Sequence, residues 1–244
     1  MINNKKVLAV VPARGGSKGI KLKNLRKVAG LSLIEHVAKC ISEVEEIDRA
    51  VLSTDNNEIK LEGERVGLNA PFRRPRELSG DLVGDIDVLK HALNAIESID
   101  GMPYDIVLML QPTSPLRRPE HVSGALNLLV QSNFDAVWSI SEIDSKYHPL
   151  KQICYSDGKI EYWDQRGQAI IARQQLSKSY IRNGVVYAIS KQCIVNQKTI
   201  LGSNTGGYFI KGRFVSIDTE EDIEIAEKLL GSRQFEKNDK AIST

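Results

Sequence analysis

Short apolar runs alternate with longer stretches in which apolar residues recur every three or four positions, and this alternation holds for the first 140 or so residues. Residues 7–11 are a continuous apolar run of the kind a strand buried on both faces requires. Residues 31–44 set Leu33, Ile34, Val37, Ala38 and Ile41 on one helical face. A short strand at 50–53 ends at Thr54-Asp55, and 56–66 follow as a helix with a polar face. Residues 86–96 align Ile86, Leu89, Leu93 and Ile96 as a second amphipathic helix. Residues 105–110, Asp-Ile-Val-Leu-Met-Leu, predict another buried strand. Pro119 then stands where a helix can begin, with Val122, Leu126 and Leu129 as its apolar stripe, and 136–140 is the next strand. Such alternation predicts an α/β fold, a parallel sheet with helices on both faces. Ligands of such sheets bind beyond the carboxyl ends of the strands, which here means the loops after Val11, Ser53 and Leu110.

From 141 to about 176 the pattern changes. His148, Tyr155, Tyr162, Trp163 and Arg173-Gln174-Gln175 lie in a polar stretch without helical period. Asp157-Gly158, between 153–155 and 160–162, predicts a β-hairpin. Strands return at 185–189 and 213–217. Thr219-Glu220-Glu221-Asp222 then resembles a capping box opening a last helix that stops at Gly231, leaving 232–244 as a polar, frayed tail.

Composition narrows the classes. The chain has 244 residues, 41% hydrophobic and 26% charged, enough for one core, or one core with a smaller appendage. A net charge of +2 from 33 basic and 31 acidic residues lacks the footprint of a nucleic-acid binder. No run reaches the 18 apolar residues of a membrane helix, and the run after Lys5-Lys6 is too short for a signal peptide and leads straight into Arg14. Cys40, Cys154 and Cys193 match no zinc or CxxC spacing, so reduced thiols in a cytoplasm are expected.

Positive charge is instead local. After the first strand, Pro12 opens a loop with Gly15, Gly16 and Gly19; from Arg14 to Lys27 it carries six basic residues and no acid. Glycines let backbone N–H groups approach a ligand and Lys/Arg neutralise charge, so the loop points to a polyphosphate; the bland reading is a solvated basic turn. The order Ser17-Lys18-Gly19 is not a Walker A motif, and the glycines lack dinucleotide-fingerprint spacing.

Pro12-Ala-Arg-Gly-Gly-Ser-Lys-Gly-Ile-Lys-Leu-Lys-Asn-Leu25, Arg74-Pro75-Arg76-Glu77-Leu78, Leu110-Gln-Pro-Thr-Ser-Pro-Leu-Arg117, His148-Pro149 and Asn183-Gly184, in that order, closely resemble the CMP-sialic acid synthetases, the N-acylneuraminate cytidylyltransferases. The likeness extends from Val7 to about Leu230. It implies a Rossmann-like nucleotidyltransferase three-layer sandwich (1–140 and 185–231) with a small dimerisation insert (141–184), acting as a homodimer. It also implies a reaction of CTP with a nonulosonic acid, giving CMP-sugar and pyrophosphate with Mg2+ or Mn2+. By the same resemblance, Arg14, Gly16, Ser17, Lys18, Lys23, Asn24, Arg74 and Asp85 would contact CTP, with Arg14, Lys23 and Asp218 catalytic. Gln111, Ser114, His148, Arg173, Gln174 and Asn183 would face the sugar, and Asp218 would hold the metal. His148 and Ser114 also suit purely structural turns, and Asp218 also suits a helix cap. The chain departs from the family at Ser216, where many relatives place a first aspartate; at Asp85, aligned with a serine; and at Ile181, where an arginine is usual and Arg182 is adjacent instead. CMP-Kdo synthetases are the neighbouring possibility, and a non-catalytic CTP-binding relative is the more distant one.

Overall fold

In a computed structural model, residues 1–242 are described, with side chains through Ser232. β1 (Val7–Pro12) is buried from Val7 to Val11. Successive side chains of a strand point to opposite faces, and the core divides accordingly. Val7, Ala9 and Val11 join one apolar cluster while Leu8 and Val10 join another. The chain turns through a short antiparallel pair, β2 (Lys27–Val28) and β3 (Leu31–Ser32), into α1 (Leu33–Ser42). The helix starts at Leu33 rather than 31 because Ser32 caps it, its hydroxyl accepting from Glu35 N–H at 3.0 Å. β4 (Arg49–Ser53) and α2 (Asn57–Arg65) follow, with Asn56 capping α2 through Ile59 N–H. α3 (Asp85–Asp100), β5 (Ile106–Met109), α4 (Pro119–Gln131) and β6 (Ala136–Glu142) fall where the apolar pattern places them.

Between Glu142 and Tyr180 the chain leaves the sheet as an excursion whose ends are held together, Ile143 N–H donating to Ser179 C=O at 3.0 Å. Its hairpin is as expected: β7 (Ile153–Ser156) and β8 (Lys159–Tyr162) turn at Asp157 and Gly158, both with positive φ. All eight residues of its two strands are exposed.

The strands of the first 140 residues point the same way, as expected, and β9 (Tyr180–Ser190), whose direction the pattern left open, runs against them. The sheet order is β10-β6-β9-β5-β1-β4, and β9 runs antiparallel to both β5 and β6, separating strands that point the same way. A continuous apolar run says that a strand is buried, not which way it runs. The expected strand at 213–217 is corrected. Those residues are irregular, tied by Ile217 N–H donating to Thr113 C=O at 2.9 Å, and the edge strand is β10 (Thr205–Phe209). Its Gly206-Gly207 lowers strand propensity, yet a Cβ on Gly206 would strike the Phe134 ring at 2.4 Å, so the glycine is there for packing.

α1, α2 and α4 pack one face of the sheet and α3 the other, giving three layers. A third cluster, Ile20, Val28, Leu33, Ile217, Ile223 and Ala226, seats the start of α5 (Glu220–Ile242) on the β2–β3 turn. The capping box is present, Asp222 accepting from Thr219 N–H and Oγ1–H. The stop at Gly231 is not: α5 continues to Ile242 through most of the expected tail, and 243–244 lie outside the described residues. One glycine costs a helix only about 1 kcal/mol.

Candidate active site

The loop after β1 is held from below by the ends of β1 and β4. Ala13 N–H donates to Ser53 C=O at 2.9 Å, Gly15 N–H to Asp55 Oδ1 at 2.9 Å, and buried Asn24 Nδ2 to Arg14 C=O at 3.1 Å. Asn24 therefore shapes the loop from inside. Gly19 is required by a close approach: a Cβ there would stand 2.5 Å from Asp218 C=O. That approach brings the end of 213–218 onto the loop, and Lys23 Nζ meets Asp218 Oδ1 at 2.7 Å. Together they wall a cavity of about 380 Å³ with Arg14, Ser17, Lys18 and Gln111. Gly16 sits on the exposed outer side of the loop.

The cations here have counter-charges. Asp81, in the turn before α3, pairs with Arg14 at 2.8 Å and Lys18 at 2.7 Å, and the hydrogen bond from Lys18 holds its carboxyl below the usual carboxylate range. Asp218 is 70% exposed and its carboxylate takes no part in capping α5, because Thr219 and Asp222 form the capping box and Asp222 also accepts from Asp218 N–H at 3.0 Å. Asp222 thus adds nothing to the cavity wall. Among the described residues no group of three or more His, Cys, Asp or Glu side chains is arranged to hold a metal ion.

A second cavity, of about 350 Å³, shares Gln111 with the first; Asp85, Arg182, Asn183, Tyr187 and Ser216 are on its walls. Ser216 stands beside Thr113, Oγ to Oγ1 at 3.4 Å. Burial pushes the Asp85 carboxyl up, against the pull of Arg182 and Arg74. Gln111 is positioned from behind by Arg117, whose guanidinium donates to the carbonyls of Gln111 and Val185, both at 2.5 Å. Arg117 is fully buried, and desolvation lowers its pKa to about 10. Asn183 Oδ1 accepts from Ser139 Oγ–H and Val185 N–H, and its Nδ2 donates to Ser141. Gly184 has φ of 71°, and a Cβ would lie 3.2 Å from Gln111 Oε1, so Asn183-Gly184 keeps β9 clear of that amide.

The candidates therefore divide. Arg14, Ser17, Lys18, Lys23, Asn24 and Asp218 converge on one cavity; Gln111, Asp85 and Asn183 on the next. Asp85 is in the second cavity rather than beside the loop. Ser114 is buried with its hydroxyl donating to Gly184 C=O at 2.9 Å. Arg74 is buried too: it donates to Ser53 Oγ and C=O, and burial lowers its pKa to about 10. His148 and Arg173 lie together on a third cavity, in the excursion and apart from Gln111, where His148 Nδ1 accepts from Leu150 N–H. Gln174 is exposed and lines none of these three cavities. Sequence reading missed Asp81, which no spacing marks, and the bracing by Arg117, whose signal is a cation directly after the buried residues Pro115 and Leu116.

A cytidylyltransferase family model matches residues 8–242. The chain belongs to the cytidylyltransferase family. This cytidylyltransferase is 26% identical over 96% of its length to a post-translational flagellin modification protein B from Campylobacter coli, covering 98% of that protein. It is 28% identical to a CMP-N,N'-diacetyllegionaminic acid synthase from Legionella pneumophila, covering 94% of this chain and 98% of the relative. Against an N-acylneuraminate cytidylyltransferase from Streptococcus agalactiae it is 31% identical over 89% of its length, and it spans about half (51%) of that longer protein. A solved CMP:2-keto-3-deoxy-manno-octonic acid synthetase complexed with CTP shares the fold, at TM-score 0.67 and 18% identity, covering 93% of this chain and 99% of that one. The chain thus has the Rossmann-like α/β nucleotidyltransferase fold.

Proposed function

We propose that this cytidylyltransferase is an N-acylneuraminate cytidylyltransferase, transferring CMP from CTP to the anomeric hydroxyl of a nonulosonic acid and releasing pyrophosphate. The observation that carries the reading is the pair of cavities meeting at Gln111, one walled by Arg14, Lys18 and Lys23 and the other rich in hydrogen-bonding side chains. Names among the relatives point to the same class of sugar acid.

Arg14, Lys18 and Lys23 hold the triphosphate, and Asn24 keeps Arg14 placed. Lys23 faces the pyrophosphate as it departs. Phosphoryl-type transfer is mostly positioning and charge stabilisation, so fixed cations are the main catalytic resource. Gln111, at the junction, aligns the sugar with the α-phosphorus for in-line attack by the anomeric oxygen.

Mg2+ or Mn2+ fits at Asp218. Lys23 engages only one oxygen of this exposed carboxylate, and nucleotide sites hold Mg2+ with one or two carboxylates, waters and substrate phosphates. When bound, the ion supplies charge neutralisation across the phosphates. With Ser216 in place of a second acid, Asp218 alone anchors it.

A homodimer is part of the proposal, supported by the hairpin and its flank: Ile153, Tyr155, Ile160, Trp163 and Ile171 are all more than half exposed. A cytoplasmic location completes it, alongside the finding that no described helix is long and apolar enough to cross a membrane. The test is pyrophosphate release requiring both CTP and a sugar acid, across neuraminic, Kdn, legionaminic, pseudaminic and Kdo acids. The highest kcat/KM is expected for N-acetylneuraminic acid. Preference for another acid in the panel moves the substrate within the class, and CTP binding without turnover on any of them overturns the reading.

A further inference from the structure

Arg182 has no role in the family resemblance, yet the fold places it with care. It lies on β9 between Ile181 and Asn183, on the wall of the second cavity. Its guanidinium carbon stands 5.6 Å from the centroid of the Trp138 ring. Trp138 is itself fixed: its indole N–H donates to Ile200 C=O at 2.8 Å, and its ring meets Tyr187 edge-on at 5.5 Å and 78°. A guanidinium over an anchored indole is attracted to the ring face while its N–H donors remain available at the edge.

Those donors are uncommitted. No carbonyl or side chain among the described residues accepts a hydrogen bond from the Arg182 guanidinium, although Asp85 is within electrostatic reach. The neighbouring arginines differ. Arg74 donates into Ser53, Arg117 into Gln111 and Val185, and Arg14 pairs with Asp81. Among the described residues only two charged ones line this cavity, Asp85 and Arg182, and only the second attracts an anion. Gln111 forms the boundary with the triphosphate cavity.

We infer that Arg182 grips the carboxylate of the sugar acid and thereby sets the specificity of the second cavity for keto-acid sugars over neutral ones. This rests on the cytidylyl-transfer reading and deepens it. The carboxylate carbon of such a sugar is bonded to the anomeric carbon, which also carries the attacking hydroxyl. A planar fork holding both carboxylate oxygens fixes the orientation of that carbon. The hydroxyl then has one direction to face, towards Gln111 and the α-phosphorus. Asp85, which would repel the carboxylate, is left as an acceptor for sugar hydroxyl or amide N–H groups.

The test compares wild type with Arg182→Gln and Arg182→Lys. Pyrophosphate release is measured against sugar acid and against CTP, and binding of the sugar acid by saturation-transfer NMR. Loss of a charge-assisted fork is expected to raise the sugar KM of Arg182→Gln by about 10- to 100-fold. The KM for CTP stays within about twofold, which also reports an intact fold. Arg182→Lys recovers part of the sugar KM but keeps a lowered kcat, because an ammonium attracts the anion without orienting it. Wild type discriminates against the C1 carboxamide of the same sugar, and Arg182→Gln no longer does. An unchanged sugar KM in Arg182→Gln, or undiminished discrimination against the amide, overturns the inference. Binding separates the two levels. Sugar-acid binding that is lost in Arg182→Gln, in a protein without turnover, supports Arg182 and refutes cytidylyl transfer. Equal binding in both variants refutes Arg182 whether or not pyrophosphate appears, and a wild type that binds no sugar acid refutes both.

Discussion

Lys23→Met removes one charge from the triphosphate cavity and keeps the length of the stem. The side chain is only 16% exposed, while Asp218, its partner at 2.7 Å, is 70% exposed. A pair with one partner so open to water contributes at most about 1 kcal/mol to stability. For a chain of this size that is a fall in Tm of about 2–4 °C. The catalytic effect is set differently. Removing one positioned group that stabilises charge developing in the transition state costs about 2.7–4 kcal/mol, or about 100- to 1,000-fold in kcat. Asp218, freed of its counter-charge, adds repulsion toward the phosphates and raises the KM for CTP as well. The assay is continuous pyrophosphate release at saturating sugar acid, with Tm from thermal unfolding of the same sample. A kcat within about threefold of wild type at saturating CTP would refute the placing of Lys23 at the leaving group. A fall in Tm beyond about 10 °C would refute the claim that its task is chemical rather than structural.

Three other outcomes are expected. Asp218→Asn abolishes turnover with Tm within about 4 °C of wild type, since Thr219 and Asp222 form the capping box of α5 without the Asp218 side chain; retained activity removes Asp218 from metal binding. Asp81→Asn releases Arg14 and Lys18 together, so inorganic triphosphate binds about two- to fivefold tighter by calorimetry, and weaker binding contradicts a competing role for Asp81. His36 and His91 are both held below the ordinary histidine value of 6.5, chiefly by burial. The folded chain therefore binds fewer protons than the unfolded one near that pH. Their stabilising contribution is present above about pH 6.5 and is lost as pH falls through the lowered folded values. Unfolding followed from pH 7.5 to 5 should show Tm falling, with a flatter profile in a His36→Gln/His91→Gln double variant.

What was legible in the sequence was what local periodicity encodes. The run at 7–11 had to be a buried strand, and the basic loop after it had to face a ligand edge. The capping residues Ser32 and Asn56 trimmed their helices by one or two positions, a correction that only hydrogen-bond geometry supplies. The alternation made the parallel strands of the first 140 residues legible, but not the direction of β9, because residues 185–189 carry the same burial signal in either orientation. β10 was hidden by Gly206-Gly207, whose value is a close fit to Phe134 rather than an intrinsic preference. The site was legible where one segment holds several members, as in the loop at 14–24. It was not where partners are brought together by the fold. Asp81 beside Arg14, Arg117 behind Gln111 and Trp138 beneath Arg182 each join residues distant in sequence. His148 and Arg173 show the converse: motif order put them with Gln111, and the excursion carries them to a separate cavity.

The position of β9 has a consequence for how the chain acquires its structure. Strands β5 and β6 are separated by β9, so the middle of the sheet is supplied by a segment made after both its neighbours and after the whole excursion. A nascent chain ending before residue 180 carries two apolar strands whose inner edges have no partner, and open edges of that kind invite pairing with other chains. Closure then depends on contacts between residues far apart in sequence, which slows folding. The pinning of Ile143 to Ser179 shortens that search, because the excursion returns the chain beside the end of β6, where Glu142 and Tyr180 start the ladder. Truncations before residue 180 are therefore expected to aggregate, whereas shortening the excursion between its pinned ends should leave the sheet able to form.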